Sequence, residues 1–154
     1  MSLKQKLFSG QSPATAVSDL LVTVARVGAG LTMAMQHGYG KMPPPDRFVS
    51  GLESMGFPAP EAFAWMASLA EFGGGLFLAV GLLTRPSALF LAITMAVAFF
   101  VAHGADTFDK RELSFLYLCL TLVFLAMGSG RFGIDRFIRG GSSSTPPAKK
   151  QKFK

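Results

Sequence analysis

Residues 60–83 read PEAFAWMASLAEFGGGLFLAVGLL. The stretch is apolar apart from its start and one interior charge, Glu71. A helix needs roughly 20 mostly apolar residues to cross a bilayer, so it is read as a membrane span. Pro58 and Pro60 mark its beginning, where a missing N–H costs no hydrogen bond. Ala67, Glu71, Gly75 and Ala79 recur at every fourth position, and Gly73 and Gly74 flank them. Small residues let membrane helices approach closely. Gly73, Gly74 and Gly75 are therefore expected to serve packing rather than ligand contact.

Three further segments share this character, at about 17–36, 86–102 and 113–127. The first carries Arg26 in its interior; the last two carry no charge. Pro86 sits in the first turn of its segment, and Gly128 and Gly130 follow the last one as helix-ending glycines do. Almost no loop separates residues 83 and 86, so those two helices are antiparallel neighbours. The expected fold class is all-α, a four-helix transmembrane bundle over residues 17–139. A cytoplasmic segment, 1–16, precedes it. Within the long connection 37–59, residues 46–55 read as a short amphipathic surface helix.

Composition agrees. Half of the 154 residues are apolar and 16% are charged, against about 25% in soluble domains. This length holds one domain. Fifteen Phe stand against two Tyr and one Trp, which suits rings facing hydrocarbon. The lone Cys119 can make neither an internal disulfide nor a Cys-x-x-Cys pair, and it reads as an apolar filler.

The net charge of +6 is concentrated in residues 140–154, with Lys149, Lys150, Lys152 and Lys154. This Gly/Ser/Pro/Lys-rich tail has nothing to bury and is expected to be disordered. Its lysines suit an anionic lipid surface better than nucleic acid. Lys4 and Lys6 could begin a secretory signal, but the apolar stretch starts late, contains Asp19 and Arg26, and lacks a small-x-small site. It is read as a retained span. Lys4, Lys6, Arg85, Arg131, Arg136, Arg139 and the tail lysines share one side; Lys41, Arg47, Lys110 and Arg111 share the other. This bias puts both termini in the cytoplasm, and it leans on the tail.

Arg26 and Glu71 both fall near the middle of their spans, in antiparallel helices, and so are expected at similar depth. A lone charge at the bilayer centre costs about 2.5–3.5 kcal/mol on insertion scales. Pairing the two would offset much of this and fix the helix register. Such a pair either only holds the bundle together or forms a polar centre that binds a ligand. Arg26 shares its face with Ser18, Val22, Gly30 and Ala34, a match for the small stripe around Glu71. His37 lies eleven residues after Arg26 on the same face. His103 ends the third span and Glu112 begins the fourth. Topology puts all three at one rim, where they suit proton exchange or a quinone headgroup, or merely mark helix ends. Metal binding is not expected, since no H-x-x-x-H or H-E-x-x-H spacing occurs. Tyr117 can donate a hydrogen bond inward.

Several stretches resemble the DoxX family of small bacterial membrane proteins. They are His37-Gly38-Tyr39-Gly40-Lys41, Glu71-Phe72-Gly73-Gly74, Gly81-Leu82-Leu83-Thr84-Arg85, His103, Glu112 to Leu118, and Gly128-Ser129-Gly130-Arg131 followed by Asp135. Ser129 departs from the Pro often found there. The resemblance covers about residues 20–136. It implies a four-helix bundle in the bacterial inner membrane, with polar positions at Arg26, His37, Lys41, Glu71, Arg85, His103 and Glu112. Some relatives are subunits of thiosulfate:quinone oxidoreductases or belong to oxidative-stress complexes; many have no established activity.

The leading expectation is a membrane subunit of a redox system. Arg26, Glu71, Lys41 and Tyr117 would bind a quinone-like ligand, His37, His103 and Glu112 would carry the chemistry, and Arg85 would be structural. No flavin, haem or iron–sulfur signature is present, so electrons would come from a partner or the substrate. The alternative is a non-enzymatic scaffold or chaperone for partner membrane proteins. A transporter ranks last, because four helices would need a homo-oligomer to form a conduit.

Overall fold

The computed structural model describes residues 16–138. The expectations for the N-terminal segment and the basic tail lie outside these residues. Six helices occur among the described residues, with no strand. They are α1 (Ala16–Lys41), α2 (Asp46–Ser54), α3 (Pro60–Val80), α4 (Thr84–Ala102), α5 (Phe108–Met127) and α6 (Ile134–Ile138). By length and composition α1, α3 and α4 can each cross a membrane. The helix α5 is as long, but its first turns hold Asp109, Lys110, Arg111 and Glu112.

The four long helices pack around one core. Met33 of α1, Leu78 of α3, Leu91 and Met95 of α4 and Phe124 of α5 are buried together. The outward faces carry exposed Leu21, Val24, Leu69, Phe90, Ile93 and Leu116. An apolar girdle this extensive would be costly in water and is the natural surface of a protein in hydrocarbon.

The register of α1 against α3 is set by close backbone approach. A Cβ on Gly75 would lie 2.9 Å from Ala34 N and Gly30 O, and one on Gly30 would lie 2.5 Å from Ala79 N. This register corrects the expected polar centre. It places Arg26 level with the end of α3 and Glu71 level with Gly38. The two charges are thus about 18 Å apart along α1, twelve residues at 1.5 Å each, and they do not pair.

Arg26 instead stitches the tight α3–α4 turn. Its Nη1 donates to the Leu78 and Ala79 carbonyls at 2.5 and 2.6 Å. Those are among the orphan acceptors at the end of α3, where a cation also meets the negative end of the helix dipole. Gly81 (φ 73°) closes α3, with Gly81 N–H donating to Leu78 O and Leu82 N–H to Phe77 O, a Schellman pattern. Asp135, just inside α6, accepts from Leu83 N–H at 2.7 Å and Thr84 N–H at 2.9 Å. It thereby caps α4 from a distant part of the chain. The end of α5 is finished by Arg85, whose Nη2 donates to Ala126 O at 3.2 Å.

Candidate functional site

Three of the long helices widen into π-helical turns: Met33–Gly38 in α1, Ala70–Gly74 in α3 and Ala98–Ala102 in α4. Such turns are rare and concentrate at functional sites. All three lie on the side of Gly75 away from α6, with the one in α3 at mid-helix. They supply Met33, His37, Glu71 and Ala98 to the wall of one cavity of about 180 Å³. Lys41 enters from the end of α1 and His103 from the α4–α5 loop. Lys110, Ser114 and Tyr117 enter from one face of α5.

Glu71 is the most buried charge in this wall, with 4% of its side chain exposed. Its partner is Lys41, whose Nζ donates to both carboxylate oxygens, at 2.7 and 2.9 Å. Lys41 also lies 5.1 Å from the centroid of the Phe48 ring on α2, which adds a cation–π contact. The ring of Tyr117 meets His37 edge to face, centroids 5.9 Å apart, and its hydroxyl hydrogen-bonds with Thr32.

His103 is held from outside the cavity. Its Nδ1 lies 2.9 Å from Asp106 Oδ2, and Asp106 N–H donates to His103 O at 3.0 Å. The hydrogen bond from His103, helped by Lys110 and Arg111 nearby, keeps the Asp106 carboxyl below its ordinary range. Arg111 secures the same loop, donating to Gly104 O at 3.3 Å while stacking over Phe99.

Five of the residues singled out in the sequence therefore converge: His37, Lys41, Glu71, His103 and Tyr117. Two do not. Arg26 belongs to the other end of the bundle. Glu112 is exposed, because α5 turns Ser114 and Tyr117 inward, with Lys110 reaching the cavity from an exposed position, and leaves Glu112 and Cys119 on an outer face. The glycines also divide. Gly75 makes the close helix contact, a Cβ on Gly74 would meet Leu91 at 3.7 Å, and one on Gly73 would meet open space.

Sequence reasoning overlooked Asp106, Lys110 and Ser114 in and beside this site, and gave Asp135 no role. The spacing of Lys110, Ser114 and Tyr117 along one helical face was the available signal. The contacts of Asp106 and Asp135 had none beyond their place near helix ends.

Residues 21–104 match the DoxX family model. The chain belongs to the DoxX family. It is 31% identical over 126 residues to the inner membrane protein YqjF of Escherichia coli, covering 79% of this chain and 95% of that protein. It is 34% identical over 77 residues to an uncharacterized protein of Haemophilus influenzae, covering 46% of this chain and 58% of the relative. No solved structure matches. This DoxX chain is a membrane protein, and its matched region takes in α1, α3 and α4 almost entirely, with Arg26, His37, Lys41, Glu71 and His103.

Proposed function

We propose that the chain is a four-span inner-membrane subunit of a redox system, holding a quinone-like headgroup or similar small ligand in the cavity beside Glu71. The observation that carries the reading is the convergence of His37, Lys41, Glu71, His103 and Tyr117 on one partly enclosed space. Ionisable groups within membrane spans are costly and mark functional sites by default.

The size of the cavity narrows the ligand. Drug-sized pockets begin at about 300 Å³ and a water takes about 30 Å³, so about 180 Å³ suits one small ring rather than a peptide or whole lipid. The polar chemistry narrows it further. Lys41 is committed to Glu71 and Tyr117 to Thr32. The Lys110 ammonium, the Ser114 hydroxyl and the His37 imidazole complete the wall, and all three can donate hydrogen bonds. A ligand that offers acceptor oxygens, as a quinone does through its carbonyls, fits such a wall. Electrons would reach it from a partner subunit or a reduced substrate. With both termini in the cytoplasm, the cavity lies toward the outer face.

The test is binding in nanodiscs. The purified chain is expected to bind decylubiquinone or a short-chain menaquinone saturably, and His37→Ala and Glu71→Ala to weaken binding at least about tenfold. Unchanged affinity in both variants removes the site. A scaffold reading draws on an apolar groove of about 490 Å³ between α3 and α4, lined by Met66, Gly73, Phe77 and Phe90. It would be favoured if the chain bound neither quinone and crosslinked through this groove to a single stoichiometric partner.

A further inference from the structure

The cavity holds two imidazoles, and their surroundings differ. His37 sits within α1, edge-on to the Tyr117 ring. His103 sits at the mouth, on the loop joining α4 to α5, with a carboxylate behind it. That loop is closed twice by the same two residues, through Asp106 N–H to His103 O at 3.0 Å and through Asp106 Oδ2 to His103 Nδ1 at 2.9 Å. Two further bonds brace it, Arg111 Nη1 to Gly104 O at 3.3 Å and Gly104 N–H to Val101 O at 3.4 Å.

The identity of the donor follows from charge. An ionised carboxylate can only accept, so the hydrogen must be on His103 Nδ1. In the neutral ring, Nε2 is then the nitrogen with the lone pair. Asp106 does not line the cavity, whereas His103 does. The carboxylate thus holds the imidazole from outside the cavity wall, as an acid that orients a histidine does.

We propose that Asp106 is the positioning residue of this site: it fixes His103 in the Nδ1–H tautomer, so that His103 Nε2, rather than either nitrogen of His37, exchanges the proton with a ligand in the cavity. This rests on the cavity being a ligand site. Nε2 takes a proton from hydronium at the mouth, releasing water, and the ring becomes imidazolium, its charge facing Asp106. Once a partner subunit or reduced substrate has reduced the ligand, the proton passes to its negatively charged oxygen and the ring returns to neutral. No electron moves in this step. The charged and titratable groups around His103 are Asp106 on its own loop, Lys110, Arg111 and Tyr117 on α5, Lys41 and His37 on α1, and Glu71 on α3. Of these, Asp106 is the one bonded to the ring.

The chain has two histidines, which makes the test direct. Nitrogen-15 histidine spectra of the full-length chain in nanodiscs, without quinone, report the tautomer of each ring, and His37→Gln assigns the signals. The expected result is a dominant Nδ1–H tautomer at His103. Asp106→Ala should turn it into a minority form and leave His37 unchanged, and Asp106→Glu should restore it in part. A His103 that is mainly Nε2–H in the unmodified chain overturns the proposal without need of any variant. So does a tautomer that Asp106→Ala leaves alone. Titration with decylubiquinol, whose hydroxyls donate to the Nε2 lone pair, is the second arm. Loss of the Asp106 bond is expected to weaken binding about tenfold, with full-strength binding in Asp106→Ala counting against the positioning role. An Nδ1–H His103 in a chain that binds no quinone upholds the Asp106–His103 pair and overturns the quinone as its ligand.

Discussion

At the scale of single residues, the two charges inside the spans have separate tasks. Arg26 satisfies carbonyls at a helix end. Glu71 is held in the cavity wall by Lys41, which keeps a third of its side chain exposed. Lys41→Met would leave a buried carboxylate unpaired, at about 3–5 kcal/mol. The double replacement Lys41→Met with Glu71→Leu should recover most of that loss, because replacing both partners of a buried pair with apolar groups is often close to neutral. Thermal midpoints in detergent measure this. The double variant should nonetheless lose quinone binding, which separates the pair's part in the site from its part in stability. A double variant that binds like the parent shows the pair to be structural only.

At the scale of elements, helix contact and helix widening share the work. Gly30 and Gly75 bring α1 and α3 together on one side, and the π turns open the same two helices around the cavity. Gly75→Ala should cost about 1–3 kcal/mol, as overpacking does, since its Cβ would lie 2.9 Å from the backbone of α1. Gly73→Ala should be neutral or stabilising by up to about 1 kcal/mol, because nothing lies within 4 Å and Ala is the better helix former. Equal effects of the two substitutions on the unfolding midpoint would contradict this packing.

At the scale of the whole molecule, α5 is expected to cross as the fourth span. Its first turns are charged and its remainder is apolar, and it packs against the core through Tyr117, Leu118, Thr121 and Phe124. With four crossings, tags on the two termini are reached from the same side of a sealed vesicle. Cysteines placed at Ser54 and Ala105, in a Cys119→Ala background, are then labelled from the other. Terminal tags on opposite sides would remove one crossing.

The sequence by itself determined that the chain is helical and membrane-embedded, and which residue types its polar sites would use. Hydropathy and helix-ending residues are local signals, and a span announces itself through them. Span ends were less legible. The helix α1 runs on through His37 to Lys41, and α5 starts at Phe108, because a helix can rise past the hydrocarbon where hydropathy stops counting. The tertiary structure alone decided which polar groups meet. Arg26 and Glu71 look like partners when two spans are aligned by their ends. The close approach of Gly30 and Gly75 slides α1 along α3 and gives Glu71 to Lys41. The rotation of α5 brings Ser114 and Tyr117 inward and leaves Glu112 outside. Register and rotation are relations between helices, set by shape and backbone contact, and no single segment encodes them.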